Sequence, residues 1–430
     1  MQRKQYDLIQ ETLYSKTLPN GLQVLILPKA DYHKVYGIFT THFGSNIQKI
    51  RNRDTQELHE IPAGAAHFLE HKLFEGPDGE DAFQLFMHQG ANANAFTNNH
   101  QTSYLFDGSF DISQNIEILL DFVQNPAFTP EGVAKEKGII TQEILMYLDQ
   151  PISRGLQALM EHLYPNHPAG MDITGSVESV NATTYEALKL AYDTFYHPSQ
   201  MVLVIVGQVD PEATMELIAH NQAGKTFQPT PFEGVFDPIE APPLPPSHIE
   251  MAVAQPFVFA GLRMDAESLP SGQDRLRLEL VSDIFLELLM GPSSPTFQAW
   301  LNDAIIDANF GFNIEMEPHT HHLLMYTTSM DAEATLKAWQ SHLSQWQHSA
   351  HFTREAFAQV VRGTIGDHLQ LLNSLEGIAY NLTDGALNHY DVLASLSLLK
   401  EISFDEVLAY GEQYIQAASW TSVTLQPKKS

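Results

Sequence analysis

Seven prolines fall within the 18 residues from Pro229 to Pro246. Proline lacks a backbone N–H and holds φ near one value. Such a run enters neither a helix interior nor the middle of a sheet, and it is expected to be extended and stiff. The 430-residue chain is therefore read as two folded pieces, residues 1–228 and 248–430, joined by a linker over 229–247. Each piece is long enough to bury a core of its own. The balance of 43% apolar to 17% charged residues places both among globular rather than disordered chains.

The first piece mixes element types. Leu22–Leu27, preceded by a Pro19-Asn20-Gly21 turn, and Val35–Phe43 read as strands, as do Ala91–Phe96, Thr102–Asp107 and the apolar run Met201–Val206. Helical patterns cover Ala63–Phe74, Glu80–Gln89, Ile112–Gln124, Pro130–Leu148, Ile152–Leu163, Ala182–Phe195 and Pro211–Asn221. Several strands neighbour each other in sequence, so the expected class is α+β with a mostly antiparallel sheet flanked by helices. The second piece repeats this order. Phe352-Thr353-Arg354-Glu355 opens a long helix, after a strand at Leu323–Ser329 and a helix at Ala332–Trp346, as Phe128-Thr129-Pro130-Glu131 does in the first. Phe285-Leu286-Glu287 sits in an early helix as Phe68-Leu69-Glu70 does. Two homologous domains are the expectation.

Composition then removes whole classes of function. There is no cysteine, which excludes a disulfide scaffold, a cysteine-based zinc ribbon, an iron–sulfur cluster and a thiol nucleophile. Lys and Arg number 23 against 52 Asp and Glu, a net charge of −29 without a basic run, which argues against nucleic acid as a partner. The N-terminal MQRKQYDLIQETLYSK lacks the apolar stretch of a signal peptide, and no apolar run approaches the roughly 20 residues that span a bilayer. A cytoplasmic, membrane-free protein is expected. The acidity either keeps the chain soluble or attracts basic peptides.

One segment carries chemistry. In Gly64-Ala65-Ala66-His67-Phe68-Leu69-Glu70-His71, two histidines stand four apart, one turn along a single helix face, where they can grip one metal ion. Neutral imidazole suits zinc, and a nearby carboxylate that is not a ligand can accept a proton from water. The order H-x-x-E-H inverts the usual zincin motif. A catalytic zinc takes three protein ligands, and without cysteine the third must be His, Asp or Glu. Glu136 and Glu143, seven apart on one helix, share a face, so one can bind zinc while the other supports a histidine ring. Taken singly, the motif is a chance match in a chain with 20 histidines, and the glutamate pair is an ordinary charged helix face.

Together with Leu18-Pro19-Asn20-Gly21-Leu22, the segment Gly90–Thr97, and Phe195-Tyr196-His197-Pro198 before Met201–Gly207, these residues resemble the inverzincin metallopeptidases. That family includes pitrilysin, insulin-degrading enzyme and the mitochondrial processing peptidases with their short bacterial relatives. The resemblance covers most of the chain and is strongest over residues 18–210. It implies a zinc-binding catalytic domain, a second domain without a metal site, and half of a clamshell peptidase. It implies one zinc ion per chain held by His67, His71 and Glu143, with Glu70 as general base and Glu136 orienting a ligand from behind. The implied reaction is hydrolysis of unfolded peptides by zinc-activated water in a closed chamber. Ala93, Asn94, Ala95 and Phe96 are implied to form an exposed edge strand that receives the substrate backbone. On its residues alone that strand reads as ordinary sheet pairing, with Asn94 at a bulge or turn.

The second half departs from the family. Its early helix, Val281–Leu289, holds no histidine, and the landmark alignment sets Asp367 opposite Glu143 and Val360 opposite Glu136. Active relatives also carry an Arg and a Tyr seven apart in this half, where the chain offers Asn302 and Asn309. No Arg lies between Arg277 and Arg354. A heterodimer is therefore expected, in which a homologous subunit supplies the Arg and Tyr. The alternatives are a non-catalytic or assembly subunit of a peptidase-like complex, and a maturation protease dedicated to one small peptide. Pro318-His319-Thr320-His321-His322 is read as a solvated turn rather than a metal site.

Overall fold

In a computed structural model that describes residues 1–76 and 81–428, the chain divides into two units by contact density. The first comprises Met1–Ile144, Asp172–Phe236 and Gln370–Leu393; the second comprises Leu145–Met171, Asp237–Leu369 and Ala394–Ser430. The chain order of the two halves is thus interrupted, and each unit takes one segment from the other half.

The first unit is built on strands β1 (Gln2–Tyr6), β2 (Glu11–Thr17), β3 (Gln23–Pro28), β4 (Val35–Thr41), β5 (Lys49–Asn52), β6 (Leu58–Glu60), β7 (Ala91–Thr97), β8 (Thr102–Gly108), β9 (Met201–Gly207) and β10 (Phe232–Val235). Seven of them form one sheet in the order β1-β2-β3-β9-β4-β8-β7, antiparallel except for the β3–β9 pair. Its helices are α1 (Ala65–Leu73), α2 (Ala82–His88), α3 (Ile112–Gln124) and α4 (Pro130–Leu148), whose last turn runs into the second unit. After α5 (Pro151–Leu163), which belongs to the second unit, come α6 (Val177–Ala182), α7 (Tyr185–Phe195) and α8 (Pro211–Ala223).

Strand β9 shows why the sheet is central. Every residue of it is buried, and the strand period of two sends Leu203 and Ile205 to one face and Val202, Val204 and Val206 to the other. The first face packs with Phe68 and Leu69 of α1, Leu119 and Leu120 of α3 and Leu188 of α7. The second face is covered by Ile378, Ala379 and Leu382 of a helix from the other half of the chain, Leu375–Leu387.

The second unit repeats the plan with β11 (Ser247–Met251), β12 (Phe257–Arg263), β13 (Gly311–Glu317), β14 (Thr320–Thr328) and β15 (Ser419–Pro427). Their order is β11-β15-β12-β14-β13, with only β11 and β15 parallel. The run β3-β9-β4-β8-β7 has the same sequence of one parallel and three antiparallel pairs, so the internal repeat is real at the level of topology. The helices that follow α8 are α9 (Gln273–Met290), α10 (Pro295–Asn302), α11 (Ala332–Ser344), α12 (Arg354–Leu371), α13 (Leu375–Leu387), α14 (Ser395–Glu401) and α15 (Phe404–Tyr410). Of these, α13 is the cover of the first sheet. In exchange, α5 packs Ala158, Leu159 and Leu163 against Phe259, Val423 and Leu425 of the second sheet. Gly155 permits that approach, because a Cβ there would lie 2.0 Å from the Phe259 ring.

Several local expectations change. The proline-rich segment is not extended linker throughout: within it β10 pairs with β5, using the two strand-forming residues between prolines, Phe232 and Val235. The helix read over Ala182–Phe195 starts at Tyr185, where Thr184 caps it by accepting from the Ala187 amide, and Ala182 instead ends the separate helix α6. Glu80, where another helix was expected to begin, lies outside the described residues; that helix is seen as α2. His321 and His322 are fully buried on β14 rather than in a solvated turn. Their ring nitrogens lie 3.3 Å from the Tyr410 hydroxyl and 3.1 Å from the Tyr164 hydroxyl. No helix among the described residues is long and apolar enough to cross a membrane.

Candidate metal centre

Helix α1 starts at Gly64, whose φ is 87°. That left-handed value favours glycine, and a Cβ there would also lie 2.4 Å from the Thr174 carbonyl oxygen. The helix that follows buries Phe68, Leu69 and Leu73 in the core and turns His67, Glu70 and His71 away from it. On α4, Ile140 and Ile144 are buried, and the adjoining face presents Glu136 and Glu143.

The two faces meet. Glu143 Oε2 lies 3.7 Å from His67 Nε2 and 3.5 Å from His71 Nε2. Ligand atoms of His67, His71 and Glu143 all fall within 4.8 Å of one another, the one such group of three or more His, Asp or Glu among the described residues. Tetrahedral zinc with bonds of about 2.1 Å holds its ligand atoms about 3.4 Å apart, so the spacing and the nitrogen–oxygen donor set both fit zinc. A carboxylate and two imidazoles are also the donors a cysteine-free chain can offer.

The environment suits ligands. His67 is 8% exposed, and its Nδ1 is buried with no hydrogen-bond partner among the described residues. Burial, followed by repulsion from His71, lowers its pKa to about 3, so the ring is neutral and free to donate a lone pair. His71 behaves oppositely. Burial alone would lower its pKa, but a hydrogen bond to Glu136 and the charges of Glu143, Glu136 and Glu70 together raise it. That bond joins His71 Nδ1 to Glu136 Oε1 at 3.1 Å and turns Nε2 toward Glu143. Burial would raise Glu136, and the bond to His71 with the Lys72 charge overcomes it, leaving its pKa lowered. Lys72 lies on the buried side of α1, 3.7 Å from Glu136 Oε2, and also pairs with Glu75.

Glu70 stands beside the trio without being the third ligand atom of the group. Burial raises its pKa most, against a hydrogen bond from Thr97 and the pull of His71, with Glu143 raising it further. Thr97 Oγ1 donates to Glu70 Oε2 at 2.5 Å. Ala93, Asn94, Ala95 and Phe96 lie on β7, an unbroken strand at the edge of the seven-stranded sheet. Asn94 makes neither bulge nor turn; its Oδ1 accepts from the Ala95 amide at 2.9 Å, occupying an edge donor with the strand's own side chain. Asn302 ends α10 and Asn309 bonds Asp307 through both its amide and its side chain.

Sequence reasoning missed Thr97 and Lys72. Thr97 closes a segment already singled out, and its hydroxyl faces the site only because β7 runs under α1. Lys72 follows His71 directly, and a lysine at a buried helix position signals a carboxylate partner.

A family model described as insulinase, peptidase family M16, matches residues 57–176, and one described as the peptidase M16 inactive domain matches residues 182–363. The zinc protease YmfH of Bacillus subtilis (strain 168) is 37% identical over 99% of this chain and 99% of its own. The crystal structure of an M16-like peptidase from Alicyclobacillus acidocaldarius superposes with a TM-score of 0.91 at 32% identity, covering 97% of this chain and 99% of that one. A protease from Helicobacter pylori shares the fold, with a TM-score of 0.80 at 17% identity over 96% of this chain and 99% of its own.

Proposed function

Because this chain belongs to the insulinase family of peptidases, family M16, we propose that it is a zinc-dependent endopeptidase acting on unfolded peptides or small polypeptides. The observation that carries the reading is the convergence of His67, His71 and Glu143 with Glu70 alongside. His67 Nε2, His71 Nε2 and a Glu143 oxygen would hold one zinc ion. When bound, zinc supplies Lewis acidity beside the scissile carbonyl.

The chain's own residues do the rest. Glu70 takes the proton of the attacking water and hands it to the leaving amine nitrogen. Its Oε2 is engaged by Thr97, so Oε1 is the atom that carries the proton. Burial, which raises the proton affinity of Glu70, suits it to that task. Glu136 accepts the His71 Nδ1 proton and so keeps Nε2 directed at the metal position. An extended substrate adds to β7 at Ala93–Phe96, displacing the Asn94 side chain from the Ala95 amide. The net charge of −29 favours cationic peptides. At the positions where active relatives carry Arg and Tyr this chain has Asn302 and Asn309, which supports a homologous subunit that supplies those groups and closes the chamber.

Zinc content and cleavage of a peptide panel, measured with and without a co-expressed homologous chain, test this reading. Glu70→Gln is expected to keep zinc and lose about 100-fold or more in kcat. Equal cleavage by wild type and Glu70→Gln would sink the mechanism, and full activity of the chain alone would sink the partner.

A further inference from the structure

We propose that Thr97 is the positioning residue of Glu70: its hydroxyl fixes the carboxylate of the base and ties it to the strand on which a substrate would dock. The inference rests on the peptidase reading above.

Glutamate carries its carboxylate on three rotatable bonds, so a general base needs something to aim it. Glu136 cannot, since its oxygens face His71 and Lys72. Among the described residues the one hydrogen-bond donor to the Glu70 carboxylate is Thr97 Oγ1, at 2.5 Å. The donor is itself held. Thr97 is the last residue of β7 and pairs in register with Thr102 of β8. The two hydroxyl oxygens lie 3.3 Å apart, and Thr102, fully buried, donates to the Phe43 carbonyl at 2.9 Å. A β-branched side chain in a strand has little torsional freedom, so the Thr97 hydroxyl has one place to point. Helix α1 thus supplies the base, and the sheet decides where its oxygens sit.

The consequence is a mechanical link. Thr97 follows Phe96 directly, on the edge strand whose residues 93–96 would pair with the peptide backbone. The peptide and the oxygen that takes the proton are then referenced to one rigid element. Substrate is placed relative to β7, and Glu70 is placed by β7.

Thr97→Val keeps the shape and branching of threonine and removes the donor; Thr97→Ser keeps the donor. In crystal structures at high resolution, the Glu70 carboxylate is expected in one conformation in wild type and Thr97→Ser, and in several in Thr97→Val. In kinetics, Thr97→Val is expected to lower kcat about 10- to 100-fold with KM unchanged, and Thr97→Ser to stay within about threefold of wild type. Zinc affinity by chelator competition should be the same in all three. In a Glu70→Gln background Thr97→Val should cost nothing further, because it acts through the group already removed. An unmoved Glu70 in Thr97→Val, an unchanged kcat, or a loss of zinc affinity or melting temperature that accounts for the kinetic loss would each overturn the proposal. Zinc-loaded wild type that cleaves no peptide, with the homologous chain present, defeats the peptidase reading instead. The crystallographic comparison still decides whether Thr97 holds Glu70.

Discussion

Glu136 and His71 are joined at 3.1 Å, from a helix glutamate oxygen to the ring nitrogen that points away from the metal position. The bond fixes which nitrogen carries the proton and which is left to donate. Glu136→Ala is therefore expected to weaken zinc binding about 10- to 100-fold by chelator competition, and Glu136→Gln, which keeps an acceptor and loses the charge, to weaken it less.

Gly64 opens the helix that carries both histidines. Its φ is 87°, and a Cβ added there would come within 2.4 Å of the Thr174 oxygen, so the turn has no room for a side chain. Gly64→Ala is expected to destabilise the protein by about 2 kcal/mol or more, with a lower melting temperature and weaker zinc retention.

Leu382 of α13 belongs to the core of the first unit although it lies in the second half of the chain. Leu382→Ala should cost about 2–4 kcal/mol in unfolding free energy. The loss of hydrogen-exchange protection should appear in β4 and β9, the strands it covers, rather than in β12 and β14.

Glu406 bonds the Arg277 guanidinium at 2.7 Å, and that bond holds its pKa down at about 2 despite partial burial. A carboxylate with a depressed folded pKa contributes stability above its unfolded value and loses it as pH falls toward the folded one. Glu406→Gln should thus lower the melting temperature at pH 7. The gap to wild type should close as pH falls from about 4.5 to about 2, and thermal melts across that window check it.

The net charge of −29 favours cationic substrates, so cleavage of lysine-rich peptides is expected to fall more steeply than that of neutral ones between about 0.05 and 0.5 M salt.

The long helices and central strands were legible because their patterns are strong. Pro130–Leu148 and Ile112–Gln124 agree with the helices end to end, and Met201–Val206 is apolar throughout because both its faces are covered. The β1–β2 hairpin was not legible. Its strand Gln2–Tyr6 is exposed at four of five positions and shows no alternation. The strand inside the proline-rich segment was hidden by its neighbours, since composition speaks for a whole window and β10 is four residues long. Spacing along two helices drew attention to His67, Glu70, His71, Glu136 and Glu143, but only the resemblance to a family gave each of them a role. Thr97 was not visible, because its role depends on a strand passing under α1, a relationship of tertiary structure. The exchange of α5 and α13 left no mark in the sequence either, since a helix's apolar stripe does not say which sheet it will meet.

That exchange sets an order of events during synthesis. The strands of the first sheet are all made by Gly207, but the helix that seals one of their faces begins only at Leu375. Until then Leu25, Leu27, Ile38, Val202 and Val204 have no cover, so the first unit leaves the ribosome with an open apolar face. Its metal-binding residues and all the strands of its sheet are already present by then, yet the second face of that sheet is covered only near the end of translation. A chain truncated at the linker should accordingly aggregate rather than fold, and co-expression of the missing half should rescue it.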